Sequence, residues 1–342
     1  MPQKPACLLL ALALLVCGCH EPMRAVTTSH VTTISPPMLD NGPLQEFTVV
    51  SGAGGERIGL IDVDGVLLNS NMTGMSSYGE NPVAIFREKL DYIAANNACY
   101  RGVVVRINSP GGGVTASDIM RRDLMTFKAR TGMPVVACLL DVGAGGAYYL
   151  ATAADHVVAH PTCVTGGIGV ILNLYNIEDL MKERSILGVP IKSGDHIDMG
   201  SVIKEQSDEV RHMLQVMANE FHYRFRFTVE QSRPGHDPRH AEDFDGRVFT
   251  ASQALERRLI DSIGYLDDAV AVARQASGRA TAPVILLHRC RDRARSPYAV
   301  TPNVPIQATA FPMSVPGLER SRLPTFLYLW EPDPTLERWA GR

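Results

Sequence analysis

"DVGAGGAYYLATAAD", Asp141–Asp155, is the stretch on which the reading of this chain turns. It follows the apolar run "MPVVACLL", and Gly145 to Ala153 has helical character, so it reads as the turn from a buried strand into a helix. Such a turn is where many hydrolases present a nucleophile. Between Asp141 and Tyr148, however, there is no serine, threonine or cysteine.

Outward from this turn, apolar strands alternate with helices. "RGVVVRI" is a continuous apolar run, as in a sheet covered on both faces. "ERIGLIDVDGVLL" predicts a strand within Ile58 to Leu68, and "NPVAIFREKLDYIAANN" a helix with Ile85, Leu90 and Ile93 on one face. "TASDIMRRDLMTFKAR" predicts another helix, with Thr115 or Ser117 near its cap. Downstream, "DHVVAH", "GGIGVIL" and "VPIKS" read as strands and "IEDLMKERSIL" as a helix. A long helix, from "SDEV" to "EQSR", ends near Pro234, and "DGRVF", "TASQALERR", "LIDSIG" and "YLDDAVAVARQAS" close the pattern as strand, helix, strand, helix. The alternation predicts an α/β domain with largely parallel sheets.

Composition narrows the function classes. The 342 residues are 45% hydrophobic and 20% charged with a formal net charge of -3, which argues against a nucleic-acid partner. The seven cysteines show no paired zinc-ligand spacing, so a zinc site is not expected. Cys138 and Cys163 lie in apolar runs, where buried free thiols are expected. "MPQKPACLLLALALLVCGCHEP" has the short apolar run of an export signal, and "LVCGC" resembles a bacterial lipobox with Cys19 as the lipidated residue. Residues 1–19 are thus read as a lipoprotein-type signal and 20–56 as a flexible tether. Residues 57–277 form the main domain, and 278–342 a Pro-rich extension. Within the extension, "FLYLWEP" reads as a docking strand or a membrane-surface contact. "HYRFRF", on the long helix, reads as a face packed against another subunit.

The strongest chemical signal is "RINSPGGGVTASD", Arg106–Asp118, where a strand ends, three glycines follow and a helix begins. Backbone amides at such a turn can hold an anion or an oxyanion. A tight strand–helix turn would explain the glycines alone, and dinucleotide-type GxGxxG spacing is absent.

Together with "GAGGAYYLATAADHVVAHPTCVTGGIGV", "IKSGDHIDMGS" and "DGRVFTASQALERRLIDSIGYLDDA", in that order, the chain resembles the signal peptide peptidase A (SppA) family over roughly residues 56–275. The resemblance implies the ClpP/crotonase-like fold, a spiral of repeated strand-strand-helix units. It further implies a membrane-associated oligomer that cleaves signal peptides and membrane-derived fragments with a serine nucleophile and a lysine base, without metal or cofactor. Gly112 and Gly113 match the family's oxyanion-hole turn, whereas Gly145 stands at the nucleophile position and Ile197 at the lysine position. Glycine has no atom that can attack a carbonyl, and isoleucine cannot take a proton.

Substitutes are His196, Lys192 and Thr152, each with a structural alternative in a polar loop or within a helix; Ser109 is read as shaping its turn. The expected function is therefore a lipid-anchored, catalytically inactive SppA-type protein. It would bind peptides or membrane-protein segments or assemble with active paralogues, as a homo-oligomer or a hetero-oligomer. An active peptidase with a displaced nucleophile, and an acyl-thioester enzyme using the same oxyanion hole, are the alternatives.

Overall fold

The computed structural model describes residues 43–70, 73–74, 77–78, 80–237, 239–289, 296–299 and 326–330. The export signal, Cys19 and the tether up to residue 42 lie outside the described residues. In chain order the elements begin with β1 (Gln45–Val50), β2 (Arg57–Asp64), the short β3 (Thr73–Gly74) and β4 (Ser77–Tyr78), and α1 (Pro82–Ala95). Then come β5 (Tyr100–Ser109), β6 (Gly111–Gly113), α2 (Val114–Thr131), β7 (Val135–Ala144), α3 (Gly146–Ala151), β8 (His156–Ala159) and β9 (Val164–Gly166). The helices α4 (Glu178–Glu183) and α5 (Asp208–Ser232) precede β10 (Val248–Thr250), α6 (Ala251–Glu256) and β11 (Ser262–Ile263). Last are α7 (Leu266–Ala276), β12 (Val284–His288) and β13 (Leu327–Leu329).

Local chemistry sets these limits. Asn81 caps α1, its Oδ1 accepting from the Val83 amide at 2.9 Å, with Pro82 at the first helical position, where its missing N–H costs nothing. Helix α2 stops at Gly132, which takes φ 68°, a left-handed conformation that glycine adopts without penalty. Its cap is Gly113, without a side-chain bond, so Thr115 and Ser117 lie inside the first turn. Helix α6 opens with a reciprocal capping box between Thr250 and Gln253.

The nine-stranded main sheet runs β1-β12-β2-β5-β7-β8-β11, a path that is parallel except for β1 at its edge, with β9 joined in parallel to β7 and β10 antiparallel to β9. This is the mostly parallel α/β sheet that the strand–helix alternation of the sequence predicts. One face packs on α1, α2, α3 and α5 through Phe86, Met120, Phe127, Tyr148 and Phe225. The other is covered by α7, whose Leu266, Ala269, Val270 and Ala273 meet Ile58, Leu60, Val104 and Val136. Burial on both faces is why these strands read as continuous apolar runs rather than alternating ones.

Strand β7 changes partners along its length. Val136–Leu139 pair with β8, whereas Val142–Ala144 pair with β9. The change diverts the end of β7 from the sheet and carries Gly145 to the Gly166 carbonyl.

Three boundaries differ from the sequence expectation. Residues 45–50, assigned to the tether, form an edge strand antiparallel to β12, and β12 itself comes from the expected extension. "VPIKS" forms no strand: Ile191 is fully exposed, so the segment has no partner surface to bury its apolar positions. In "GGIGVIL" only Gly166 belongs to a strand, and Ile171 makes an isolated bridge to Leu327. Half of the "HYRFRF" face packs within the chain: Phe225 is fully buried, while Tyr223 and Phe227 stack in solvent.

Behind β2 and β5 lies a buried charge cluster. Lys89 pairs with Asp62, both nearly inaccessible. Arg106, fully buried, reaches Asp64 at 3.4 Å and donates to the carbonyls of Pro297 and Ala299. Removing one member of such a pair leaves a buried charge uncompensated, so Asp62→Ala should lower unfolding stability by about 3–5 kcal/mol in urea titration. Burial pushes the Asp64 carboxyl up to about 6 against the opposing pull of Arg106. Because its folded value lies above its unfolded one, Asp64 adds stability at low pH that is lost as pH rises from about 4 to about 6. Unfolding of Asp64→Asn followed across that window should lack this decline.

Candidate functional site

The elbow after β7 is built from backbone alone. Gly145 has φ 55° and ψ -125°, a region L side chains rarely adopt, and it turns the chain directly into α3. Its N–H donates to the Gly166 carbonyl at 2.9 Å, and its carbonyl accepts from the Tyr149 amide at 2.9 Å.

The glycine turn supplies the facing wall. One edge of β6 is used by Leu67, whose amide donates to Gly111 and whose carbonyl accepts from Gly113, both at 2.8 Å. The amide and carbonyl of Gly112 therefore face the opposite edge. There lies β13, antiparallel, with Tyr328 opposite Gly112. Trp330 donates to the Pro110 carbonyl at 3.0 Å, and the Val114 amide donates to the Phe326 carbonyl at 3.2 Å. In this register Tyr328 and Gly112 are the mutually bonded pair between them. The other edge of β13 is bonded as well: Leu327 and Ile171 exchange N–H···O bonds of 2.9 and 3.0 Å.

This strand crosses the elbow at contact distance. A Cβ on Gly145 would stand 2.3 Å from the Tyr328 carbonyl oxygen, 2.8 Å from its carbon and 3.1 Å from the Leu329 nitrogen. Those three atoms are the Tyr328–Leu329 peptide bond, which thus lies where a side chain at position 145 would emerge. A Cβ on Gly111 would stand 2.0 Å from the same oxygen, and one on Gly146 3.3 Å from it.

The Tyr328 side chain is fully buried. Its ring centroid lies 4.6 Å from Phe225 and 5.3 Å from Tyr149, and its hydroxyl donates to the Phe221 carbonyl at 2.8 Å. Burial holds its phenol well above the usual tyrosine range, so it stays a donor. Tyr149 is fixed in turn by donating to Asp118 at 2.8 Å, and Asp118 pairs with Arg224 at 2.9 Å.

The residues predicted from sequence fall into two groups. Gly112 and Gly145 come together around the Tyr328 carbonyl, and Gly113 adjoins them with its amide taken by Leu67. Ile197, 69% exposed, lies in a loop with the exposed His196. In that loop Lys192 pairs with Asp198 at 3.0 Å and Lys204 with the same carboxylate at 2.7 Å; Lys204, then Lys192, lower it to about 2. Thr152 is buried, its hydroxyl donating to the Tyr149 carbonyl at 2.7 Å and accepting from Arg121 at 3.0 Å, which makes it a helix-end fastener. Ser109 is buried and accepts from the Gly111 amide at 3.1 Å, which fixes the glycine turn. The buried Cys138 and Cys163 are held as thiols, their pKa pushed up to about 12 by burial.

Ser117 was read only as a cap candidate. Its hydroxyl lies 2.1 Å from where a Gly146 Cβ would stand and donates to the Gly113 carbonyl at 3.0 Å. The three-residue spacing from Val114 that puts it on the inner face of α2 could have flagged it. Tyr328 was foreseen only as part of a docking segment, because its pocket is built by residues more than 100 positions away.

Residues 128–279 match the model of peptidase family S49. A relative from Enterococcus faecium named as a signal peptide peptidase SppA is 28% identical over 268 residues, covering 78% of this chain and 77% of that one. Protease 4 of Salmonella typhi is 29% identical over 65% of this chain and 35% of its own length. The chloroplastic serine protease SPPA of Arabidopsis thaliana is 33% identical over 52% of this chain and 26% of its own. The chain thus spans well under half the length of the latter two. With the elbow, the glycine turn and the downstream motifs in family order, the chain carries a peptidase family S49 domain over residues 128–279 and is similar to SppA and protease 4 proteins.

Proposed function

We propose that this protein is an exported, lipid-anchored SppA-type protein that holds extended peptide or membrane-protein segments without hydrolysing them, as a homo-oligomer or together with active paralogues. The observation that carries this reading is Gly145: the elbow is formed, yet its apex has no side chain to attack a carbonyl. Ile197 supports it, since an exposed alkyl side chain supplies no base. What remains is what peptide binding by strand addition needs, namely a backbone edge at Gly112 that pairs with an extended strand, here β13, and a side-chain pocket beside it. Amides at the glycine turn can polarise a bound carbonyl, but without a nucleophile the polarised bond has nothing to react with.

One observation favours hydrolysis by a displaced hydroxyl, the closeness of Ser117 to Gly146. Against it, that hydroxyl is buried and donates to the Gly113 carbonyl rather than facing a base.

Purified protein given denatured casein and signal-peptide mimics should show no turnover above buffer. Cleavage abolished by a serine-directed phosphonate would sink the non-hydrolytic reading, and its loss in Ser117→Ala would locate the nucleophile. Anchoring has its own check. Cys19→Ser should move the protein from the membrane fraction to the soluble fraction after carbonate washing, and an unchanged distribution would refute lipidation.

A further inference from the structure

We propose that the cleft between the segment after α5 and the end of α6 is a binding site for a phosphate group, held by Arg239, Arg257 and Arg258. The cleft measures about 660 Å³ and is separate from the elbow, none of whose residues borders it. The site does not depend on the peptide-holding reading.

Its floor is a buried His–Asp pair. His236 borders the cleft, and the side chains of His236 and Asp243 are 1% and 0% exposed. Nε2 of the ring lies 2.8 Å from the carboxylate. A carboxylate only accepts, so Nε2 donates, and Nδ1 is left buried without a partner. Buried polar atoms are rarely unpaired, and this one belongs to a residue that borders a space able to admit a ligand. The other Asp243 oxygen binds Nη1 of Arg257, whose guanidinium also lies 4.8 Å from the Phe249 ring centroid. Arg257 is thereby immobilised, with Nε and Nη2 unused among the described residues. Arg239 is fixed in the same way: its Nε and Nη2 donate to Asp237, which leaves Nη1.

Arg258 is strained as well as unpaired. It has φ 57°, and among the described residues only Ser185 is another non-glycine at positive φ. Its amide donates to the Leu255 carbonyl at 3.0 Å, and the Leu259 amide donates to the Ala254 carbonyl at 2.9 Å. Those two bonds form the helix-closing turn at which glycine is the unstrained residue. The Arg258 side chain lies along Gly235, where a Cβ would stand 3.1 Å from its Cδ. Among the described residues its guanidinium has no acidic partner. A strained arginine with an unpaired charge, beside two immobilised ones, is not accounted for by packing.

The donors select the ligand. A carboxylate offers two oxygens and is served by one guanidinium fork, whereas a phosphate offers three strong acceptor oxygens to three arginines. Asp237 and Asp243 are engaged by their own arginines, and Glu242 lies 3.5 Å from Arg257 and 3.7 Å from His240. Glu256, exposed on the cleft wall, is the acid that opposes an anion. Inorganic phosphate and a phosphomonoester lipid headgroup share this chemistry.

Titration calorimetry on the full-length protein in detergent micelles tests the site. One arm adds inorganic phosphate, and the other adds short-chain phosphatidic acid mixed into the micelles. Saturable heat in either arm supports the proposal, and the arm that responds names the source; no heat in both overturns it. Acetate should bind at least about tenfold more weakly than the responding ligand, and equal affinity would overturn the phosphate assignment. Arg258→Gly should weaken binding at least about tenfold, yet unfold at the same temperature or higher, because glycine relieves the positive φ. Glu256→Gln, which removes the opposing acid, should tighten binding about threefold. Affinity unchanged in both variants would place the phosphate elsewhere and overturn this site.

Discussion

Three glycines close around a single oxygen, the carbonyl of Tyr328, and the geometry of the whole groove depends on their lacking side chains. Gly111, Gly145 and Gly146 come from two different strand ends, yet a Cβ on any of them would stand within 3.3 Å of that atom. Real Cβ atoms do not sit 2.0 or 2.3 Å from a carbonyl, so neither Gly111 nor Gly145 tolerates substitution while the strand stays. At Gly145 the backbone adds a second restriction, since φ 55° with ψ -125° strains any L residue. A strained elbow is what a serine peptidase maintains to expose its nucleophile. Here the elbow persists with its apex used as clearance.

That clearance is delivered by the sheet. Strand β7 is held by β5 along one side and exchanges β8 for β9 on the other, which brings Gly143–Gly145 against Thr165 and Gly166. The Thr165 hydroxyl donates to the Gly143 carbonyl at 2.7 Å and the Gly145 amide to Gly166 at 2.9 Å, so the elbow is bonded on the side away from the groove. Helix α3 then packs Tyr148 and Tyr149 into the core, with the Tyr148 hydroxyl bonded to the Leu259 carbonyl at 2.7 Å. Tyr149 thereby becomes a wall of the Tyr328 pocket, and the "AYYL" that identifies the turn also builds the site beside it.

The sequence made the interior legible because burial on two faces leaves its mark on every residue of a strand. "RGVVVRI", "MPVVACLL" and "DHVVAH" all lie in the sheet, and the long helix from Asp208 ends before Pro234 as its pattern predicts. What escaped was set by partners distant in sequence. "QEFTVV" is half exposed and becomes a strand only because Val284–His288 offers it an edge. "LYL" has three residues and no period of its own, and it is ordered by Gly111–Gly113 and Ile171. "VPIKS" errs the other way: its β-forming residues meet no edge and stay in solvent. In the site, the glycine at the elbow and the isoleucine at position 197 were legible. The oxygen that occupies the gap was not, because it belongs to residue 328.

The residues at positions 145 and 197 are physically related even though they lie in different segments. A lysine base earns its place only when desolvation lowers its pKa and a hydroxyl stands ready to give up its proton. Position 145 has no hydroxyl, and position 197 sits 69% exposed in a loop pinned by Asp198 between Lys192 and Lys204. With no proton to transfer, nothing in the chemistry separates lysine from isoleucine there. The same does not hold for the glycine turn or for Tyr149 and Phe225. Their contacts are made to the strand β13 and not to a reacting atom. The walls around Gly112 and Gly145 thus hold a strand, and it is a strand of the chain itself that lies across the elbow.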